Sequence, residues 1–260
     1  MEWMHTAAGL GVGFIVGLTG VGGGALMTPL LVLFFGIAPS VAVGTDLLYA
    51  SITKLGGVWV HGRRGSVDWK IAGLLALGSL PAALTTIALL KAFAVNTRHF
   101  EAVITGTLGV ALILTALALL FKERLRNFAR RNGPAIQSGG KGKWLDAATI
   151  ATGAVLGVLV TISSIGAGAL GAVALFFLYP RLSTVQIVGT DLFHAVPLTA
   201  VAGLGHFFLG TVDVALLLSL LLGSLPGIYL GSHLGTRIPE QVLRPVLAGM
   251  LLLIGGRLVW

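Results

Sequence analysis

Two aspartates that recur at the same place in a repeated motif have the clearest chemical potential in this chain. The five residues Val43–Leu47 read VGTDL, and the same five letters return at Val188–Leu192. The match continues at that spacing, so that 16 of the 39 positions in Val43–Pro81 are identical to their counterparts. Each copy places its acid, Asp46 or Asp191, inside a long apolar run. The chain therefore contains an internal duplication with a carboxylate in each copy.

The composition places these acids in a membrane. The chain is 56% hydrophobic and 10% charged, with a mean hydropathy of +0.97, whereas a soluble domain would carry about a quarter charged residues. Several apolar runs exceed the roughly 18–20 residues that cross a bilayer. We therefore expect an all-α, multi-pass protein of a bacterial-type cell (inner) membrane, surrounded by the lipid bilayer.

Charge and cysteine content exclude several classes of function. The net charge is +8, but the basic residues stand in loops beside apolar runs, which is typical of cytoplasmic loops rather than of a nucleic-acid surface. The chain has no cysteine, so disulfides, thiolate catalysis and Cys-based metal sites are excluded. We expect no cofactor, no metal and no nucleic-acid partner. The N-terminus lacks a basic region, so a cleaved signal peptide is not expected.

The chemistry of the two acids follows from their membrane setting. A carboxylate there costs about 3 kcal/mol even on lenient scales, so it normally faces a cavity or a partner and marks a transport pathway. His194 follows Asp191 by one helical turn, on the same face, and the pair could relay a proton. We predict Asp46, Asp191 and His194 as proton-coupling residues. Two alternatives stay open: the acids could be structural caps or bridges, and His194 could be a packed, hydrogen-bonded histidine.

Lysine, threonine and glycine residues near these acids suit an anionic substrate. Lys54 lies about 12 Å further along its helix than Asp46, so we expect its partner on the other half or in the substrate. Extension of its side chain toward Arg63 is the alternative. Glycine-rich breaks would expose backbone N–H groups to an anion, although close helix packing competes with that explanation. The predicted substrate-binding residues are Gly22, Gly23, Gly24, Thr45, Lys54, Gly166, Gly168 and Thr190.

The acids are positioned by a pattern of spans that both halves share. Each half begins with a long apolar segment interrupted by glycine, Met4–Gly36 and Asp146–Tyr179. Each is too long for one straight helix across a core of about 30 Å. We predict two half-helices in each, joined at Thr19–Gly24 and at Ser163–Gly168. Three spans follow in each half: Ser40–Val60, Val67–Leu90 and Phe100–Phe121, then Ser183–Phe208, Val212–Leu234 and Glu240–Val259.

A basic segment joins the halves. We predict a first membrane repeat over residues 1–121, a cytoplasmic linker over 122–145 and a second repeat over 146–260. If the glycine-broken segments cross the membrane, the repeats are parallel and the basic residues divide 11 inside to 5 outside. If they are re-entrant, the repeats are inverted and the division becomes 13 to 3. The second division fits the positive-inside rule better, so we favour inverted repeats.

Four polar residues stand at the ends of the spans. Asp68 and Asp213 occupy equivalent positions where an acid can stabilise the first turn of a helix, and we predict structural roles for both. His61 and His206 also occupy equivalent positions. For these two, structural and functional roles are equally open.

Several of these motifs resemble those of the sulfite exporter TauE/SafE family, a sulfonate-permease-like family of duplicated membrane proteins. The matching features are the break at Gly20–Gly24, the proline-bearing half-helix after it, Ala42–Thr45 in the next span, the loop His61–Trp69, and Gly78. The resemblance covers essentially the whole chain and is more specific in the first half. It implies movement of small anions such as sulfite, sulfoacetate or related sulfonates, coupled to an ion gradient.

One departure from that family bears on the mechanism. Where the family usually has a serine after the threonine, this chain has Asp46 and Asp191, which argues for proton coupling or against an anionic substrate. We predict a secondary transporter, not an enzyme, for sulfite, organosulfonates or related organic acids. An intramembrane di-aspartate enzyme and a passive anion channel are the alternatives, and assembly into homo-oligomers stays open.

Overall fold

Ten α-helices make up the part of the chain that the computed structural model describes, which is residues 2–19, 24–63, 65–93, 97–132, 141–234 and 240–259. In chain order they are α1 (Glu2–Thr19), α2 (Gly24–Phe35), α3 (Pro39–Arg63), α4 (Trp69–Phe93), α5 (Thr97–Asn132), α6 (Lys141–Ser163), α7 (Ala169–Leu178), α8 (Thr184–Phe208), α9 (Val214–Leu234) and α10 (Glu240–Val259). The all-α prediction is confirmed, and each predicted span corresponds to a helix.

Helices α3 and α8, which carry the repeated motif, have matching bounds. Both contain 25 residues, and each end of α8 follows the matching end of α3 at the spacing of the duplicated motif. The largest difference from the sequence prediction is at α5, which continues to Asn132 through part of the predicted linker. The helix continues because the residues after Phe121 have adequate helix propensity. In addition, Glu123 forms an ion pair at 2.7 Å with Arg126, which follows it by one turn.

Five helices within the described residues are long and apolar enough to cross a membrane. They contain the segments Trp69–Ala92, His99–Phe128, Gly142–Ser163, Thr184–Phe208 and Val214–Gly231. Large apolar side chains on several helices are exposed, including Leu77, Leu222 and Leu253. An apolar exterior of this kind is expected of surfaces that contact lipid.

One of the two predicted breaks is described. Helix α6 ends at Ser163 and α7 begins at Ala169, so the predicted joint at Ser163–Gly168 is confirmed. In the first half, α1 ends at Thr19 and α2 begins at Gly24. Residues 20–23 between them lie outside the described residues.

Glycine allows helices of one half to approach helices of the other. Helix α4 packs on α6, and α1 packs on α9. A Cβ on Gly78 of α4 or Gly153 of α6 would overlap the backbone of the facing helix, and the same holds for Gly9 of α1 and Gly223 of α9. Small residues at such crossings bring two backbones into van der Waals contact, which is the main source of helix association in lipid.

Replacing Gly78 with alanine is expected to lower the unfolding temperature in detergent, because its Cβ would press on the backbone of Ile150. Overpacking of this kind costs about 1–3 kcal/mol. The matched control is Gly73→Ala on the same helix, where a Cβ meets nothing within 4 Å. A thermal unfolding series of both purified variants measures the difference. Equal unfolding temperatures for the two variants would contradict the tight crossing.

Candidate functional site

The site lies where α3 and α8 pack on each other between the two halves. Apolar residues of both helices share one buried cluster, including Val43 and Leu47 from α3 and Leu198 and Ala202 from α8. The two helices pack with their chain directions opposed, because Gly44 faces His206 while Ser51 contacts Val196, so each copy of the VGTDL motif faces a later stretch of the other helix. Both duplicated acids lie in the interior, since Asp46 and Asp191 are buried.

Caps hold the start of each crossing helix. Ser183 precedes α8 and forms a reciprocal capping box with Gln186. At the start of α3, both the hydroxyl and the backbone N–H of Ser40 donate to the carboxylate of Glu101 on α5. Each arrangement satisfies backbone groups that a helix end would leave without partners.

Asp46 faces the helix after the first break and the residues of the second break. Its Oδ2 accepts hydrogen bonds from the Thr28 hydroxyl of α2 at 2.5 Å and from the Ser164 hydroxyl at 2.9 Å. Its Oδ1 is buried and has no hydrogen-bond partner among the described residues. Asp46 therefore connects the first half to the joint of the second half, with one carboxylate oxygen left available.

Asp191 lies against the first turn of α7. Its carboxylate interacts with the backbone N–H of Gly168, the residue that precedes this helix. A Cβ on Gly171 would overlap Asp191 Oδ1, so this carboxylate packs directly on the glycine backbone. Oδ1 is buried without a partner in the described part of the chain. Asp191 thus places a carboxylate where the helix dipole favours negative charge.

The backbone between α6 and α7 adopts conformations that suit glycine. The φ angles of Gly166 and Gly168 are 128° and 125°, and Ser164 has a φ of 59°. Residues with a Cβ rarely adopt the first two values, which explains two glycines in this joint. Gly168 caps α7 without a side-chain hydrogen bond. The N–H of Gly171 donates to the Gly166 carbonyl at 3.0 Å, so only the donors that precede Gly171 in the first turn of α7 rely on other groups.

Lys54 is the only lysine or arginine among the described buried side chains, and it lies in this region. Its ammonium donates to the carbonyl oxygen of Ala167 at 3.3 Å. It also interacts electrostatically with both Asp46 and Asp191. Lys54 therefore contacts the joint of the other half through a buried side chain.

His194 makes a contact that its spacing from Asp191 did not indicate. Its Nε2 is 2.8 Å from the Ser79 hydroxyl of α4, and its Nδ1 is buried without a partner among the described residues. Tyr49 holds the equivalent position in the first half and lies beside Ser224, the counterpart of Ser79. No described hydrogen bond joins His194 to Asp191.

Thr45 and Thr190 support helix ends of the opposite half. The Thr45 hydroxyl accepts from the backbone N–H of Asp213 at 3.1 Å, and the Thr190 hydroxyl accepts from that of Asp68 at 2.9 Å. Each of these acids caps its own helix, because Asp68 Oδ1 accepts from the N–H of Ile71 and Asp213 Oδ1 from that of Leu216. The structural roles predicted for Asp68 and Asp213 are confirmed.

His206 has both ring nitrogens in hydrogen bonds. Its Nε2 donates to the Thr161 carbonyl at 2.9 Å, because a carbonyl can only accept, and its Nδ1 is 2.8 Å from the Thr211 hydroxyl. These bonds give His206 a structural role at the end of α8. The side chain of His61 lies outside the described residues, as do Gly22 and Gly23, while Gly24 begins α2.

Comparison with known proteins identifies the family. Residues 5–258 match the family model described as Sulfite exporter TauE/SafE. This chain belongs to the TauE/SafE family. It is 42% identical over 251 residues to the probable membrane transporter protein YjnA of Bacillus subtilis (strain 168), which covers 96% of this chain and 97% of that protein. It is 29% identical over 252 residues to the probable membrane transporter protein YdhB of the same organism, covering 93% and 96%. No solved structure matches the chain.

Membership of the TauE/SafE family confirms the expected class of protein. The relatives carry the names of membrane transporters, and the helices described above are long and apolar enough for a multi-pass cell-membrane protein. Within the described residues of this TauE/SafE protein, no three His, Asp or Glu side chains are grouped as metal ligands would be. The described polar groups of the candidate site include the carboxyl groups of Asp46 and Asp191, the ammonium of Lys54 and the backbone break between α6 and α7.

Two residues of the candidate site in this TauE/SafE protein were not predicted from its sequence. Thr28 and Ser79 were not predicted, although they contact Asp46 and His194. The signal for Ser79 was available, because it belongs to the GSLP motif that recurs with Ser224. No comparable signal exists for Thr28. Ser79 could have been predicted because the repeat keeps a serine at the same position in both halves. Thr28 has no threonine as its counterpart in the second half, so the repeat does not indicate it.

Proposed function

We propose that this TauE/SafE protein is a secondary transporter of small anions, coupled to protons, with its site between the two halves. The substrates would be sulfite, organosulfonates or related organic acids. The observation that carries this proposal is the buried ammonium of Lys54, which interacts with both duplicated carboxylates and touches the backbone break before α7. Intramembrane charges of this kind are costly and normally serve a substrate or ion pathway.

The anion would bind at the break and at Lys54. Gly166 and Gly168 open the backbone there, and the N-terminus of α7 adds the positive end of a helix dipole. By equivalence, Gly22, Gly23 and Gly24 would serve the first half. Thr45 and Thr190 already accept hydrogen bonds from helix caps, so their contribution to the substrate site would be mainly to hold these helices in place.

Protons would be carried by Asp46 and Asp191. Each has a buried carboxylate oxygen without a partner among the described residues, which leaves a position for a proton, water or ion. His194 lies on the same helix as Asp191 and retains a free ring nitrogen, so it could pass a proton onward. Buried acids and histidines form the proton relays of many transporters.

Inverted repeats would let the two halves move against each other around this site. Support comes from reciprocal contacts, in which Thr45 meets the cap of α9 while Thr190 meets the cap of α4. The pairs α1–α9 and α4–α6 likewise exchange equivalent helices. Transporters built from such repeats expose a central site alternately to the two sides.

The test is a flux assay in proteoliposomes with radiolabelled sulfite, methanesulfonate, sulfoacetate and acetate. We expect saturable flux of at least one sulfur oxyanion and its accumulation when a pH gradient is imposed, compared with vesicles that lack the protein. Flux that neither saturates nor accumulates would indicate a channel. Cleavage of a membrane substrate without flux would indicate the di-aspartate enzyme. Either result would overturn the proposal.

The topology can be tested with single cysteines, because the natural chain has none. Arg63→Cys and Phe208→Cys stand at equivalent positions of the two halves. Inverted repeats predict that a membrane-impermeant maleimide labels the two from opposite sides in intact cells. A cysteine at Lys143, in the basic segment, serves as the cytoplasmic reference. Labelling of both equivalent positions from one side would favour parallel repeats.

A further inference from the structure

We infer that the Asp191 carboxylate occupies the position at which the transported oxyanion binds, so that substrate and ionised Asp191 exclude each other. This inference rests on the proposed function and specifies how anion and proton would be coupled. It assigns the start of α7, together with Lys54, as the anion site. It also gives the two duplicated acids different tasks.

The first step concerns the first turn of α7. This helix extends over ten residues from Ala169 and is capped by Gly168 without any side-chain hydrogen bond. Its positive end faces Asp191, whose carboxylate interacts with the Gly168 N–H and packs on Gly171. A helix start that lacks a capping side chain and is bordered by glycine is the arrangement in which proteins bind small oxyanions. In this protein the Asp191 carboxylate occupies the position next to the start of α7 where such an oxyanion would bind.

A second and independent observation concerns the burial and the hydrogen bonding of the Asp191 carboxylate. Asp191 is 2% exposed, and its Oδ1 has no hydrogen-bond partner among the described residues. A charged oxygen that is buried and lacks a partner is held at considerable cost. The Lys54 ammonium donates to Ala167 and forms no described ion pair with Asp191, whereas an oxyanion with three oxygens could contact the helix start and this ammonium directly.

The charges around the site show why the two anions would compete. Lys54 interacts electrostatically with both Asp191 and Asp46, and both acids are buried. A substrate anion beside an ionised Asp191 would add a third negative charge to a region with one ammonium. Taking a proton from the aqueous phase would neutralise Asp191 and free both Lys54 and the helix start. Two further titratable groups of the described residues lie nearby. His194 is on the same helix, with its Nε2 occupied by Ser79, and Asp68 at the start of α4 donates its backbone N–H to Thr190, next to Asp191.

Asp46 differs from Asp191 in its contacts. Its Oδ2 is bound by two hydroxyl groups, from Thr28 and Ser164, and no described contact joins it to the first turn of α7. The two copies of the motif have therefore diverged in surroundings while they keep the same acid. We assign the competition with substrate to Asp191 alone.

The experiment measures binding of methanesulfonate to the purified full-length protein in detergent, by isothermal titration calorimetry at about pH 6 and about pH 8. This probe stays charged at both values, so any pH dependence belongs to the protein. We expect tighter binding at the lower pH for the wild type. We expect Asp191→Asn to bind about tenfold more tightly than the wild type at the higher pH and to lose the pH dependence, which corresponds to about 1.4 kcal/mol.

A second variant tests the position without changing charge. In Gly171→Ala the new Cβ would occupy the place of the Asp191 carboxylate, where the inference puts the oxyanion, so we expect weaker binding at both pH values in a protein that still elutes as a single folded peak. Binding at the wild-type level by Gly171→Ala would place the anion elsewhere and overturn the inference. The control is Gly106→Ala, where a Cβ meets nothing within 4 Å. This control should bind like the wild type.

The outcomes separate the inference from the proposed function. Unchanged or weaker binding by Asp191→Asn, in a protein whose wild type binds and transports the anion, overturns the inference alone. Tighter binding by Asp191→Asn and weaker binding by Gly171→Ala, together with no flux through the wild type in proteoliposomes, would support the anion site and contradict the transporter. If Asp191→Asn fails to fold, pH-independent binding by the wild type is sufficient to overturn the inference. If neither methanesulfonate nor any anion of the flux assay binds or is transported under any of these conditions, both are contradicted.

Discussion

Lys54→Met is expected to abolish anion transport while the protein remains folded. Methionine fills a similar volume, but it leaves Asp46 and Asp191 without the ammonium that interacts with both. Loss of one partner of a buried charge pair costs about 3 kcal/mol of binding free energy for the anion, so uptake should fall by roughly a hundredfold. The measurement is initial uptake of sulfite into proteoliposomes, with elution as a single peak in size-exclusion chromatography as the folding check.

Two further variants show whether charge or bulk is responsible. Lys70→Met removes an exposed lysine of α4 whose ion pair with Asp146 is at the surface, and surface pairs contribute little. It should transport like the wild type. Lys54→Arg keeps a positive charge and should retain part of the uptake, since its group can still reach the joint before α7. Wild-type uptake by Lys54→Met would remove this lysine from the pathway.

The helices could be predicted from the sequence because the length of each apolar run determines whether it can span a membrane. The positions of the two acids within those helices followed from the repeated motif. Apolar runs gave each span, and the glycines at Ser163–Gly168 marked the joint, where φ values of 128° and 125° at Gly166 and Gly168 require them. The end of α5 was predicted too early for the same physical reason. Hydropathy falls after Phe121, but the residues that follow favour a helix in water as much as in lipid.

The contacts between the halves could not be predicted in the same way. Lys54 reaches Ala167, and Thr45 reaches the N–H of Asp213, across more than a hundred positions of sequence. No local pattern specifies which of several similar helices will face each other in a bundle. His194 illustrates the point, because its spacing from Asp191 indicated a shared face, yet its ring nitrogen found Ser79 on another helix.

The duplication itself provides the part of the site that sequence can reveal. Both acids are kept in the repeat and both are buried, whereas Lys54 becomes Thr199 in the second copy. One cation for two acids leaves the enclosed group with a deficit of positive charge unless a proton or another cation enters. This imbalance favours coupling to a cation over transport of an anion by itself.

Asp46→Asn and Asp191→Asn are therefore expected to end the dependence of flux on a pH gradient. Asparagine keeps the shape of the side chain and one oxygen acceptor, but it cannot take up and release a proton. Accumulation of sulfite against its gradient should disappear in both variants. Exchange of labelled for unlabelled sulfite at equal pH should persist in part, because exchange needs no net movement of protons. Paired uptake and exchange assays in the same proteoliposomes measure the two activities.

The control for these variants is Asp146→Asn, which neutralises an acid in a surface ion pair with Lys70 and should keep both activities. A structural role for Asp46 or Asp191 predicts a different result, in which uptake and exchange fall together with the yield of folded protein. The hydroxyl groups of Thr28 and Ser164 would in that case be the reason, since they hold Asp46 between two elements. Accumulation of sulfite by both Asn variants at the wild-type level would show that protons are coupled elsewhere.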